Sequence, residues 1–249
     1  MKAWHRFKKS YLLHSFKRDP VAILCFSVLM VLVIISILAP VVAPYNTYDT
    51  ATIDIMDAET PPTWMEGGNE RFILGTDIQG RDLLSTMIYG LRVSLLIGVG
   101  AVLFQAVVGI LVGLFSGYLG GKLDSILMRI ADIQFSIPYL IVAIFTSAIF
   151  KLAFGVGRYA ELAVPLLIII IGIAEWPKYA RTVRASVLGE KNKEYVEAAR
   201  VIGISRWQIM FRHVFPNTLT PVLVISTIQV AEAVMSEAAL SFLGLGMPI

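Results

Sequence analysis

The stretch VSLLIGVGAVLFQAVVGILVGLFSGYLGG, residues 93–121, runs for 29 residues without a charged side chain. A bilayer's hydrocarbon core is about 30 Å thick, and roughly 20 apolar helical residues cross it. A second charge-free run extends from Pro20 to Tyr48. The chain of 249 residues is 57% hydrophobic and 16% charged, against about 45–50% and about 25% in soluble domains. So few charges, so unevenly placed, cannot cover a water-soluble globule, and the apolar content excludes a disordered chain. The expected fold class is an all-α membrane protein, a polytopic helix bundle.

Five spans are expected. The first is Val21 to about Ala43, too long for a signal-peptide core. The second is Leu91 to about Tyr118. The third lies between Asp132 and Lys151, with Pro138 inside it. The fourth is the short run Leu162–Ala174 between two glutamates, with Tyr159 and Trp176 at interface depth. The fifth runs from about Val214 to Met235 and contains Glu232.

Loop charges set the direction. Residues 1–20 carry six Lys/Arg and one acid, residues 44–90 eight acids and two Arg, and residues 175–216 eight Lys/Arg and four acids. With Lys122 and Arg129 in the turn after the second span, a cytoplasmic N-terminus places 16 of the 21 basic residues inside, as the positive-inside rule requires. The net charge of +3 is then a mark of topology and not of a nucleic-acid partner. Trp4, Phe7, Tyr11 and Leu12 fall at helical spacing among lysines, the pattern of an interfacial amphipathic helix. The chain divides into that cytoplasmic interfacial segment, 1–20, and a transmembrane domain, 21–249. Within the domain lie an outer loop, 44–90, and a cytoplasmic loop, 175–216.

Gly109, Gly113 and Gly117 recur at spacing four in the second span, with Ala101 and Gln105 on the same face. Small residues so spaced let helices approach in a membrane. Ionisable groups inside spans are costly and face a bundle interior or water. The candidates are Asp132, Glu175, Glu232 and Glu237. Asp132 and Glu175 stand near cytoplasmic ends, where interfacial or interhelix pairing is the favoured reading, and Glu232 is the candidate pathway residue. Nothing reads as a catalytic site. The three histidines lack metal-ligand spacing. There is no phosphate-cradling GxxxxGK loop and no nucleophile elbow. The single cysteine, Cys25, lies in the first apolar run and builds no disulfide or metal site.

The segment 193–217 is too polar to span and too patterned for a linker. Tyr195, Ala199 and Ile202 fall on one helical face, and Ala198 and Ala199 keep the helix slim. Gly203 follows as a helix stop. Ser205 stands three residues before Gln208, as in a capping box, which predicts a second helix carrying Trp207, Met210 and Phe211. Pro216 marks entry to the fifth span. A slim helix with an apolar stripe suits a groove on a partner.

Glu197-Ala-Ala199, followed after three residues by Gly203, resembles the EAA signature of ABC-importer permeases. The family's I-x-L-P ending appears here as His213-Val-Phe215-Pro216, with the proline matched and the aliphatic positions changed. Leu74-Gly-Thr-Asp77, Gly80-Arg-Asp82, Tyr89-Gly90 and Arg92-Val-Ser94 resemble the segment before the second span of the C-type subunit of dipeptide/oligopeptide/nickel permeases. Glu237-Ala-Ala-Leu-Ser-Phe-Leu-Gly-Leu-Gly246 resembles that subfamily's segment after the fifth span.

The resemblance implies the ABC-importer permease fold, with a sixth span expected beyond Ile249. It implies a transport subunit and not an enzyme, with no cofactor in this chain, because ATP and Mg are bound by partner subunits. The implied partners are a B-type permease, two cytoplasmic ATPases, an extracytoplasmic solute-binding protein, a peptide substrate and the lipid of a bacterial inner membrane. Glu197, Ala198, Ala199, Gly203, Ser205 and Arg206 would form the ATPase-docking element. Gly75, Asp77, Gly80, Arg81 and Asp82 would form the outer-loop motif, in which Asp77, Arg81 and Asp82 are read as internal salt bridges in preference to contacts with the binding protein. Rival readings are an ion-coupled secondary transporter, a nickel or other small-solute permease of the same family, and a non-transporting membrane scaffold or channel.

Overall fold

The computed structural model describes residues 16–47, 49 and 53–245. The amphipathic pattern at Trp4, Phe7, Tyr11 and Leu12 lies outside these residues. The chain forms two compact units, 1–95 and 96–249.

In the first unit, helix α1 is Pro20–Ile37. Asp19 caps it, accepting from the N–H groups of Val21 and Ala22 at 2.9 and 3.1 Å. Pro20 takes the first turn, where its missing N–H costs nothing. Ser36 is the one buried residue of this helix, so its flank of Val, Leu, Ile and Phe is open. Cys25 is exposed on it. Helix α2, Leu83–Leu119, is 37 residues, about 55 Å long at ~1.5 Å per residue.

The second unit is built around the rear part of α2 and five of the helices that follow it. These are α3 (Gly121–Ser136), α4 (Tyr139–Phe154), α5 (Ala163–Glu190), α6 (Glu194–Val201) and α7 (Leu219–Phe242). Helix α5 is the hub: it packs against α3, α4 and α7 and buries Leu167, Ile170, Ile171, Tyr179, Ala180 and Val183. The α2 glycines meet it directly. A Cβ on Gly109 would stand 2.3 Å from the Tyr179 Cβ, and one on Gly117 2.9 Å from the Val187 Cβ. Ala101 and Gln105 are fully buried on the same face. The pattern at spacing four is therefore a packing surface. Further contacts pair Gly100 with Ile168 and Gly172 with Phe104, so numbers rise together and α2 runs parallel to α5. Gly98 meets Val234 while Tyr179 meets Ser226, so α7 runs antiparallel to both. Lys151, late in α4, reaches the Gly244 carbonyl beyond α7, so α4 and α7 end together. The chain thus alternates in direction, as a multi-pass bundle must.

Several span boundaries differ from expectation. The third span is not one helix. It breaks at Ile137–Pro138, and α3 and α4 are bent by 96° at that point. Proline disfavours α geometry in the residue before it, and Ile137 is extended at ψ 129°. Among the described residues, four helices are long and apolar enough to cross a membrane, or up to five if the bent pair is one span.

The fourth span does not stop at Ala174 but continues to Glu190. Glu175 is consequently mid-helix and buried, not at an end. Pro177 lies inside this helix and cannot donate to the Ile173 carbonyl. The Gln134 side-chain amide on α3 donates to that carbonyl instead, and its Oε1 accepts from the Trp176 indole at 2.9 Å. Trp176 is thus buried in a cluster with Ala131 and Ala180. Tyr159 is buried too, its hydroxyl 2.8 Å from Ser147 and donating to the Leu245 carbonyl. Both rings pack inside the protein.

The fifth span is part of a longer helical run, Arg206–Phe242. A π-turn, Met210–Val214, and a 3-10 turn, Phe215–Thr218, lie in it ahead of α7, which runs on to Phe242. Among the described residues, no buried side-chain nitrogen or oxygen lacks a hydrogen-bond partner.

Candidate functional site

The loop between α5 and α7 is short-range in its construction. Helix α6 ends in a Schellman motif: Gly203 N–H donates to the Arg200 carbonyl at 3.0 Å and Ile204 N–H to the Ala199 carbonyl at 3.1 Å. Gly203 holds φ at +85°, where a side-chain-bearing residue is strained. Ser205 then accepts from the Gln208 N–H at 3.3 Å and starts the turn Arg206–Ile209.

The loop is tied back at its base. The Glu190 carboxylate accepts from Tyr195 at 2.5 Å and pairs with Lys193 at 2.6 Å. Asn217 donates to the Tyr195 hydroxyl at 3.1 Å, so one tyrosine joins the loop's entry to its exit. Burial and the Glu190 carboxylate push the Tyr195 phenol up, so it remains a donor. Val196, Ala199, Ile209, Met210 and Val214 are buried beneath. Trp207 and Phe211 lie edge-on to Phe115 of α2 at 6.2 and 6.5 Å.

The buried face of α6 is therefore Val196 and Ala199. Tyr195 is partly exposed, and Ile202, expected on the apolar face, is 78% exposed beside Val201 at 88%. Ile202 is the helix C-cap, where the chain leaves the helical path. The outward surface carries Glu197, Ala198, Arg200, Val201, Ile202, Gly203, Ser205 and Arg206. This is an apolar tip ringed by charges and held on a pinned base.

Polar groups gather within the bundle, on the membrane side of this loop. Lys178 Nζ lies 2.5 Å from both Glu175 on its own helix and Glu232 on α7. Gln229 Nε2 donates to Glu175 at 3.4 Å and to Gln105 Oε1 at 3.3 Å. Glu232 is thus ion-paired, and Lys178, which sequence reasoning passed over, is its partner. Its spacing of three from Glu175 was the available signal. Glu237 accepts from Ser241 at 2.8 Å. Asp132 pairs with Arg181 at 2.6 Å, and Arg184 grips Asp124 with two bonds of 2.6 and 2.7 Å. These bonds fasten α3 to α5.

The motif before α2 is likewise self-contained. Asp77 accepts from the Gln79 and Arg81 N–H groups and from Arg81 Nε, each at 2.9 Å. Burial raises its pKa, but the backbone donors and the guanidinium outweigh that and hold it below the ordinary 3.8. Asp82 caps α2 through Ser85, accepting from its N–H at 2.8 Å and its hydroxyl at 2.5 Å. Gly75 and Gly80 let strands of backbone meet: a Cβ there would stand 2.4 Å from the Thr60 oxygen and 2.0 Å from the Asp54 oxygen. Ile55, Met56, Trp64, Met65 and Ile78 are exposed on this segment.

Residues 109–249 match the family described as the binding-protein-dependent transport system inner membrane component. Residues 1–62 match the N-terminal TM domain of oligopeptide transport permease C. The chain is 39% identical over 219 residues to the di/tripeptide transport system permease protein DppC of Pseudomonas aeruginosa, covering 88% of this chain and 68% of that protein. It is 38% identical over 233 residues to the dipeptide transport system permease protein DppC of Escherichia coli K12, covering 94% and 73%. It is 33% identical over 233 residues to the oligopeptide transport system permease protein OppC of Bacillus subtilis, covering 94% and 70%.

Proposed function

Because the chain belongs to the binding-protein-dependent transport system inner membrane component family, we propose that it is the C-type permease subunit of an ATP-driven importer of di- and oligopeptides. It is a transport subunit and not an enzyme. Its N-terminus is cytoplasmic, and its partners are a B-type permease, two ATPase subunits and an extracytoplasmic solute-binding protein. ATP and Mg are bound by the ATPases, and this chain binds no cofactor.

The observation that carries this reading is the loop between α5 and α7. Val201 and Ile202 project from a short helix whose base is bonded shut. An exposed apolar tip on a rigid mount fits a partner's groove, because little ordering entropy is lost on docking. The mount joins directly to α5, the hub of the bundle, so movement at the tip reaches the spans. Glu197, Ala198, Ala199, Gly203, Ser205 and Arg206 shape the tip. The motif Gly75, Asp77, Gly80, Arg81 and Asp82 shapes the segment before α2, whose exposed apolar and acidic side chains would meet the binding protein. The names of the relatives support peptides as the substrate class.

The test is to purify the tagged chain in mild detergent and reconstitute it with what accompanies it. Co-purification of a second permease and two ATPases, with ATP hydrolysis stimulated by peptide-loaded binding protein, is expected. Ion-gradient-driven uptake without ATPases would overturn the importer reading. Stimulation by a nickel complex but not by peptides would overturn the substrate.

A further inference from the structure

We propose that Lys178 is a positioning residue for translocation, a releasable tie between the two helices that flank the loop. The inference rests on the importer reading above. Helix α5 enters the loop at Glu190 and α7 leaves it at Leu219. An ion pair between Lys178 and Glu232 joins these two helices within the bundle. A displacement of the loop is delivered to both helices at once, and the tie makes them answer together.

The triad has one carboxylate more than neutrality requires. Glu175, three residues away on the same helix, already stands 2.5 Å from the ammonium. An apolar pair would hold α5 to α7 about as well as this half-exposed ion pair, since exposed pairs contribute little net stability. What the extra carboxylate provides is a way to let go. When α7 moves, Lys178 keeps Glu175, so no unpaired ammonium is left in low dielectric. Glu232 is the more solvated of the two carboxylates, with its side chain 45% exposed against 8% for Glu175, so it tolerates separation better. A cavity of about 180 Å³, lined in part by Gln134, Phe135, Tyr139, Ala174, Glu175 and Lys178, gives the lysine side chain room to swing. Such a tie would have two discrete arrangements, joined and released, the physical requirement for carrying coupling between distant sites.

The measurement is the number of ATP molecules hydrolysed per peptide imported by the complete complex in proteoliposomes, with the amount of assembled complex as control. Lys178→Met and Glu232→Gln are each expected to keep assembly and ATP hydrolysis but to raise that ratio about tenfold. Lys178→Arg, and the double exchange Lys178→Glu with Glu232→Lys, are expected to bring it back to within about twofold of the native value. A merely structural role would lower assembly, hydrolysis and import together and leave the ratio unchanged, which would overturn the proposal. So would a double exchange no better than either single variant. A native complex that imports without consuming ATP would instead overturn the importer reading.

Discussion

Gly113 of α2 and Ala180 of α5 approach so closely that a Cβ on the glycine would stand 2.5 Å from the alanine's carbonyl oxygen. The obstacle is backbone, and it cannot turn aside as a side-chain tip would. Gly113→Ala is therefore expected to lower stability by about 1–3 kcal/mol, the cost of overpacking. Gly90, in the same helix, has open space where its Cβ would lie, and Gly90→Ala is expected to be neutral or to stabilise by about 0.5–1 kcal/mol. Thermal unfolding of the two variants in one detergent reads the difference directly.

Gly203 presents the opposite case. Nothing lies within 4 Å of its Cβ position, but its φ is +85°. The cost of a side chain is conformational, about 1–3 kcal/mol for a residue forced into that region. Gly203→Val is expected to abolish ATPase co-purification, while Gly203→Asn, which tolerates positive φ, is expected to retain most of it. Equal behaviour of the two would show that space, not backbone geometry, governs the position.

Ile202 is the most direct probe of docking. Its side chain is exposed, so Ile202→Glu is expected to change the subunit's own stability by less than about 0.5 kcal/mol. The same change puts a charge into the proposed ATPase groove and should weaken co-purification by at least about tenfold, measured by quantitative pulldown with the unfolding temperature as control.

Asp82 closes the N-terminus of α2 by accepting two bonds from Ser85, whose hydroxyl in turn accepts the Tyr45 N–H at 3.0 Å. Asp82→Ala is expected to cost about 0.5–2 kcal/mol as a lost cap, with Asp82→Asn recovering part of it. Limited proteolysis of residues 53–82 should quicken in the same order.

Acid should loosen the Asp77–Arg81 turn. A carboxylate whose folded pKa is depressed stabilises fully above its unfolded value and loses that contribution as pH falls through the folded value. Asp77 is depressed from 3.8, so its contribution is complete above about pH 5 and fades below about pH 4. Hydrogen exchange at the Arg81 and Gln79 amides, followed against pH, should show protection lost in that range. Asp77→Asn should remove the pH dependence.

The sequence carries the local features well because their causes are local. A charge-free run becomes most of α2 because no charged group interrupts its burial or its lipid exposure. Gly203 and Ser205 state the turn at the loop because capping is decided within a few residues. The misreadings share a different cause. The fourth span was expected to stop at Glu175, since hydropathy scores a carboxylate as an end. In the bundle that carboxylate is neutralised by Lys178 and bonded by Gln229, 54 residues away. Glu232 stood out in the sequence, but its partner lies on another helix. The break at Pro138 was legible in principle, because an X-Pro pair inside a span is a bend unless neighbours rescue it. Trp176 and Tyr159 looked interfacial by type and are buried because each finds a hydrogen-bond partner inside.

Gln134 and Pro177 make one unit of inheritance. The proline leaves the Ile173 carbonyl without a helical donor, and the glutamine amide supplies one from α3. Gln134 keeps its bond from the Trp176 indole whatever stands at 177, but the use of its amide lies with the proline. A chain with an ordinary residue at 177 would leave the amide with no acceptor there, and a chain without the amide would leave the carbonyl dry and bare. The two positions are expected to drift as a couple through descent, so that a change at one, found among related chains, foretells a change at the other.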